Sequence, residues 1–311
     1  MISWPVTRTP EGRAYLHLWR TGRSYAQQKE ALYRRDWTNV LFSVQPQPPD
    51  EAEIRYHDVR RSLPFADQTF DAAYALHIVE HLTPAEAASL VDELFRVLKP
   101  GGIVRISTPD LEDICRSYLR QLDECRTTRS DLSLTRYRWA VFELLDQLVR
   151  EQGGGLMSRA SAVGDFDPEF AKTRFGDVFD EFAPIRSRPP ETRTPLLERL
   201  KRLTLSSLIA SIRWRVIDVI EPGHAVKVQS SWNEPRSTGE LNKWIYDALS
   251  LEALLERGGF REHRRQDYRS SMIPNWNRYA LDQSSLGPHA IEPSLYFEAR
   301  KPFHQAAEQA T

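Results

Sequence analysis

The sequence predicts an α/β fold built on a parallel sheet, and three observations carry that expectation. Residues 70–77 (FDAAYALH) are a short, mostly apolar run, as expected of a strand buried on both faces. A helix follows: Pro84 suits its first turn, where a missing N–H is no loss, and Leu90, Leu94, Val97 and Leu98 repeat at helical spacing. Lys99-Pro100-Gly101-Gly102 ends that helix, and residues 103–107 (IVRIS) read as the next strand. Strand, helix and strand with so short a connection form the right-handed crossover unit of a parallel sheet.

The other elements follow in order. Residues 1–13 are expected to be a loosely tied leader, and residues 15–19 (YLHLW) read as the first strand. Residues 24–35 are helix-like, with Tyr25, Ala26, Leu32 and Tyr33 apolar among polar neighbours. Residues 37–44 read as a second strand, 45–50 (QPQPPD) as a proline-rich loop, and 55–59 as a third strand. Leu63, Pro64 and Phe65 form an apolar corner, with Asp71 orienting the entry to the fourth strand. Asp110, Glu112 and Asp113 open another helix, where acids favour the N-terminal dipole. Towards the end, residues 251–257 form a helix closed by Gly258-Gly259, and residues 261–271 and 294–300 are expected to pair as antiparallel strands. Residues 304–311 are a polar tail.

Composition narrows the class. A chain of 311 residues with 41% hydrophobic and 27% charged residues is that of an ordinary globular protein. Forty-two basic and 43 acidic residues leave a formal charge of −1, so nothing global points to nucleic acid. Cys115 and Cys125 read as two free thiols of a reducing, cytoplasmic setting, since neither a disulfide nor a metal site suits that spacing. The N-terminus lacks an apolar signal core, and no apolar run reaches the length of a membrane span.

The run LPF-x-D-x-x-FD at 63–71, then EHL at 80–82, then EL-x-RVLKPGG ending at Gly102 resembles the second half of a class I S-adenosylmethionine-dependent methyltransferase, of the type 11 kind. The resemblance covers about fifty residues here and resumes near the C-terminus. It implies a Rossmann-like sheet of seven strands, the last pair antiparallel, formed by residues 14–125 and 239–303. Residues 126–238 would then be a large, mainly helical insertion or lid, too long for a loop. The implied cofactor is S-adenosylmethionine, and the implied substrate a small-molecule or sugar acceptor.

The same resemblance assigns a cofactor site from which this chain departs. The family's first strand feeds a glycine-rich turn, where the absence of a Cβ lets the backbone approach the ligand. Here Trp19 and Thr21 stand at the expected glycines, beside Arg20, Gly22 and Arg23. Either the indole alters or blocks the pocket, or Trp19 stacks on a ligand whose carboxylate Arg20 or Arg23 grips. Leu41 occupies the position of the acid that accepts the ribose hydroxyls, a charged hydrogen bond of about 1.5–3 kcal/mol. Asp58 matches the acid near the adenine amino group, and its plainer reading is a turn cap before Arg60.

His77, Glu80 and His81 follow the fourth strand, and open α/β sheets bind ligands beyond the carboxyl ends of their strands. Methyl transfer rests mainly on positioning, with a base needed when the acceptor is a hydroxyl or a protonated amine; His77 or His81 suits that task. The alternative is a plain helix entry, with Glu80 at the dipole and Leu82 packed inward. Pro109-Asp110 is a second candidate rim, and residues 271–276 with Tyr279 could line an acceptor pocket. Within the insertion, the acids of 164–182 lack a compact metal-loop spacing, and the basic amphipathic stretch 193–220 could meet an anionic membrane surface or a protein partner, or simply pack on its own domain. Three functions therefore stand: an active methyltransferase, a degenerate methyltransferase serving as scaffold or partner subunit, and an enzyme using the pocket for another, anionic ligand.

Overall fold

The computed structural model describes residues 4–19, 36–43, 55–149, 155–175, 241–282 and 294–303. Their order is β1 (Tyr15–Trp19), β2 (Trp37–Phe42), β3 (Arg55–His57), β4 (Phe70–Leu76), α1 (Pro84–Val97), β5 (Leu98–Pro109), α2 (Leu111–Thr128), α3 (Asp131–Val141), α4 (Gly155–Val163), α5 (Pro168–Phe175), α6 (Ala248–Arg257), β6 (Arg261–Gln266), α7 (Trp276–Tyr279) and β7 (Ser294–Arg300). The strands form one sheet in the order β3-β2-β1-β4-β5-β7-β6. β1 to β5 pair in parallel, whereas β7 lies antiparallel between β5 and β6. This is the seven-stranded class I methyltransferase sheet, with its last pair antiparallel.

The unit β4–α1–β5 forms as its local chemistry dictates. Thr83 caps α1: its hydroxyl accepts from the Glu86 N–H at 3.3 Å, and the Glu86 carboxylate accepts from the Thr83 N–H at 2.8 Å. α1 buries Ala87, Leu90, Val91, Leu94 and Val97 on one stripe. β5 is longer than the sequence suggests, because Leu98–Pro109 includes the whole Lys99–Gly102 turn. The turn is folded into the strand as an irregularity between the pairs Phe70–Leu98 and Ala72–Ile103, with Gly101 at φ +79°, a conformation open to glycine. β6 is shorter than expected and stops at Gln266.

The two faces of the sheet differ in chemistry. One carries Leu16, Leu18, Val40, Ala73, Ala75, Val104 and Ile106 against α1 and Leu251 and Leu255 of α6, an aliphatic core. The other carries Tyr15, Trp19, Trp37, Tyr74 and Leu76 and is covered by Ile273, Trp276, Tyr279 and Leu281 of the β6–β7 connection. Across that second face runs a polar row in register: Asn39, His17, Tyr74, Arg105 and Glu298.

Arg105 holds this arrangement. Its guanidinium is fully buried, and all five N–H groups are used: Nε and Nη2 to Asp282 at 3.0 and 2.6 Å, Nη2 also to the Asp267 carbonyl at 2.8 Å, and Nη1 to Glu298 at 2.8 Å and the Ser270 carbonyl at 3.0 Å. The Trp276 ring lies 4.4 Å from the guanidinium carbon, and the Tyr74 hydroxyl donates to Asp282. Burial opposes the charge, but Asp282 and Glu298 outweigh it and raise the guanidinium pKa.

Residues 4–13, expected to be a loose leader, are tied down. The Trp4 N–H donates to the Pro64 carbonyl at 2.9 Å, the Thr7 N–H to the Thr38 hydroxyl at 3.0 Å, and the Trp4 ring meets Phe65 edge-on. Beyond α2, α3 continues through a π-helical turn (Phe142–Asp146), and Trp139, Met157, Ala160, Phe166 and Ala171 make a separate small core. Asp165 and Asp167 pair with Arg138 and Arg136 at 2.6 and 2.7 Å. Among the described residues no helix is long and apolar enough to cross a membrane. The 193–220 stretch and the 304–311 tail lie outside the described residues.

Candidate active site

The carboxyl ends of β4 and β5 bring a set of polar side chains together. β4 stops at Leu76 because His77 turns the chain, taking φ +48°, a left-handed conformation unusual for a residue with a Cβ. The His77 N–H donates to the Ser107 carbonyl at 3.0 Å, and Val79–His81 form a 3-10 turn. That turn points Glu80 back at the imidazole: His77 Nδ1 lies 2.9 Å from Glu80 Oε1. Glu80 Oε2 accepts from the Thr108 hydroxyl at 3.3 Å. The other imidazole nitrogen, Nε2, lies 3.0 Å from the Ser294 hydroxyl at the start of β7.

The electrostatics follow from burial. Glu80 is 1% exposed, which favours the neutral acid, yet His77 and, more distantly, His81 hold its carboxyl below the ordinary value. With Glu80 ionised, a neutral imidazole holds its proton on Nδ1 and offers Nε2 to the Ser294 hydroxyl as acceptor. Tyr246 sits close by; burial, then the Glu80 charge, push its phenol up to about 12. The buried hydroxyls of Tyr246 and Ser107 have no hydrogen-bond partner among the described residues.

The expected site residues are therefore divided. His77 and Glu80 come together, while His81 turns to the Leu241 carbonyl, 3.3 Å from its Nδ1. Asp110 caps α2, accepting from the Glu112 N–H at 3.0 Å, and pairs with Arg265 at 2.7 Å. The 271–276 stretch lines a cavity of about 450 Å³ with Arg269, Asn277 and Arg278. Tyr279 is instead buried, its hydroxyl donating to Asp36 at 3.0 Å. Sequence reasoning missed Ser107, Thr108, Tyr246 and Ser294, since a lone hydroxyl residue beside a strand end carries no pattern.

The cofactor positions look different. Trp19 is 1% exposed, its indole stacked on the His17 ring at 4.9 Å, and the His17 ring also stacks on Tyr74 at 5.2 Å. Its neighbours in register are Leu41 and Leu76. Leu41 brings no acceptor for a ribose hydroxyl. Asp58 receives Arg60 at both carboxylate oxygens, each at 2.8 Å. Burial raises the pKa of that acid, but Arg60 more than offsets it and leaves it lowered. The remaining residues of the expected cofactor turn, Arg20, Thr21, Gly22 and Arg23, lie outside the described residues.

Residues 35–106 match the family model of the methyltransferase domain, a span that includes the 63–102 run carrying the sequence resemblance. Residues 35–106 are thus similar to a methyltransferase domain, and S-adenosylmethionine is the cofactor that this family implies. No curated protein matches the chain. Among solved structures, an S-adenosylmethionine-dependent methyltransferase from Methanosarcina mazei is 12% identical over 93% of each chain, with a TM-score of 0.38. One from Thermotoga maritima is 12% identical over 94% of this chain and 83% of its own, with a TM-score of 0.35. A Pyrococcus horikoshii protein is 22% identical over 36% of this chain and 56% of its own, with a TM-score of 0.28. Those scores are low, and the fold rests on the strand order.

Proposed function

We propose that the chain is an S-adenosylmethionine-dependent methyltransferase acting on a hydroxyl of a small-molecule or sugar acceptor, with His77 as the base. The observation that carries this reading is the 2.9 Å contact between His77 Nδ1 and the buried Glu80 at the carboxyl edge of β4. A hydroxyl acceptor must lose its proton as it takes the methyl group, and an imidazole oriented by a carboxylate suits that step. Glu80 fixes the tautomer, Thr108 fixes Glu80, and the acceptor oxygen would take the place of the Ser294 hydroxyl at Nε2. Calorimetry with S-adenosylmethionine and its demethylated product tests the donor, since a ligand at a hundred times its Kd stabilises a fold by about 2.7 kcal/mol. His77→Gln should lower kcat by about 100-fold or more with donor binding unchanged; an unchanged kcat removes His77 from the role.

A second reading is favoured by Trp19, Thr21 and Leu41: a methyltransferase fold that has lost its donor and serves as scaffold or partner subunit. It predicts a flat calorimetric response at millimolar donor. The double variant Trp19→Gly with Leu41→Asp should then create donor binding; continued silence would mean that the following turn has moved as well.

A further inference from the structure

We propose that Ser294, His77 and Glu80 form a serine-nucleophile acyl-transfer site that accepts carboxylic esters. The three groups lie in one hydrogen-bonded chain: Ser294 Oγ to His77 Nε2 at 3.0 Å, and His77 Nδ1 to Glu80 Oε1 at 2.9 Å. That is nucleophile to base and base to orienting acid, on the two imidazole nitrogens in the order a catalytic triad requires. The residues are 217 positions apart at their widest, so the sheet itself assembles them, through β4 and β7 on either side of β5. Glu80 is buried and backed by Thr108, which keeps the carboxylate from swinging away. His77 is held at φ +48°, backbone strain of the kind that clusters at active sites. Ser294 is half-buried at the first residue of β7, on the carboxyl edge where open sheets take ligands.

The chemistry balances without a methyl donor. Ser294 Oγ attacks the ester carbonyl carbon as its proton passes to His77 Nε2. The carbon–oxygen bond of the ester breaks, and the departing alkoxide takes that proton. Water then attacks the acyl-serine, giving one proton to Nε2, and Ser294 recovers it as the carboxylic acid leaves. Glu80 stays ionised throughout and acts by positioning the imidazole.

The site goes beyond methyl transfer: it shares His77, Glu80 and Thr108 with the proposed methyl-transfer site but needs no methyl donor, so donor-binding results leave it untouched. The test uses the full chain, p-nitrophenyl acetate as substrate and a fluorophosphonate as label. The expected results are ester turnover and one adduct that peptide mapping places on Ser294. Ser294→Ala should abolish both, and His77→Gln should slow acylation by about 100-fold or more. Glu80→Gln should lower kcat with KM unchanged, which separates positioning from loss of binding. Because the label is mapped on the unaltered protein, misfolding of a variant cannot mimic the result. No adduct, an adduct on another residue, or full turnover by Ser294→Ala overturns the proposal.

Discussion

His17 shows what the polar row costs. The imidazole is fully buried against the Trp19 and Tyr74 rings, and the loss of solvation drives its pKa down to about 3. In the unfolded chain it titrates near 6.5, so between pH 6.5 and 3 the unfolded state binds a proton that the native state refuses. Stability is therefore lost as pH falls through that window, by about 2 kcal/mol from this one group between pH 6.5 and 5. His17→Phe keeps a flat ring in the stack and removes the titration. Chemical denaturation at pH 7 and pH 5 should show that drop in the wild type to be about 2 kcal/mol larger than in the variant; equal drops would mean that His17 is not held neutral. Nothing in YLHLW announces this environment: a histidine alternating with aromatics reads equally well as half-exposed.

The elements that sequence reasoning placed best are those whose causes are local. Pro84, the apolar stripe of α1 and the Thr83–Glu86 cap all lie within one helix, and each was readable or nearly so. Thr83→Ala should cost about 1 kcal/mol by leaving an N-terminal N–H unsatisfied, seen as a lower denaturant midpoint with an unchanged slope. β5 ran past its expected start because pairing with β4 was stronger than the Pro-Gly-Gly stop signal, and Gly101 let the turn stay within the ladder. The candidate site divided along the same line. His77 and Glu80 are three residues apart and were found together; Ser294 had no local sign and joins them only because β7 crosses beside β5. Arg105 did leave a trace: an arginine inside IVRIS must find a partner if that strand is buried, although the sequence does not say which.

At the scale of the molecule, the sheet is asymmetric. One face is closed by helices through hydrocarbon contacts, the other by the 267–282 connection through Arg105 and its acids. Replacing Arg105 by Met should destabilise the fold by about 3–5 kcal/mol, because Asp282 and Glu298 would remain buried without their counter-charge. A melting experiment reads this directly; a loss below about 1 kcal/mol would mean that water reaches the acids. The guanidinium has a temporal consequence as well. Its strand leaves the ribosome 177 and 193 residues before Asp282 and Glu298, the acids that neutralise it. Until those arrive, a nascent chain would have to dehydrate a lone cation to finish its central strands, so the second face should close only after β7 has been made.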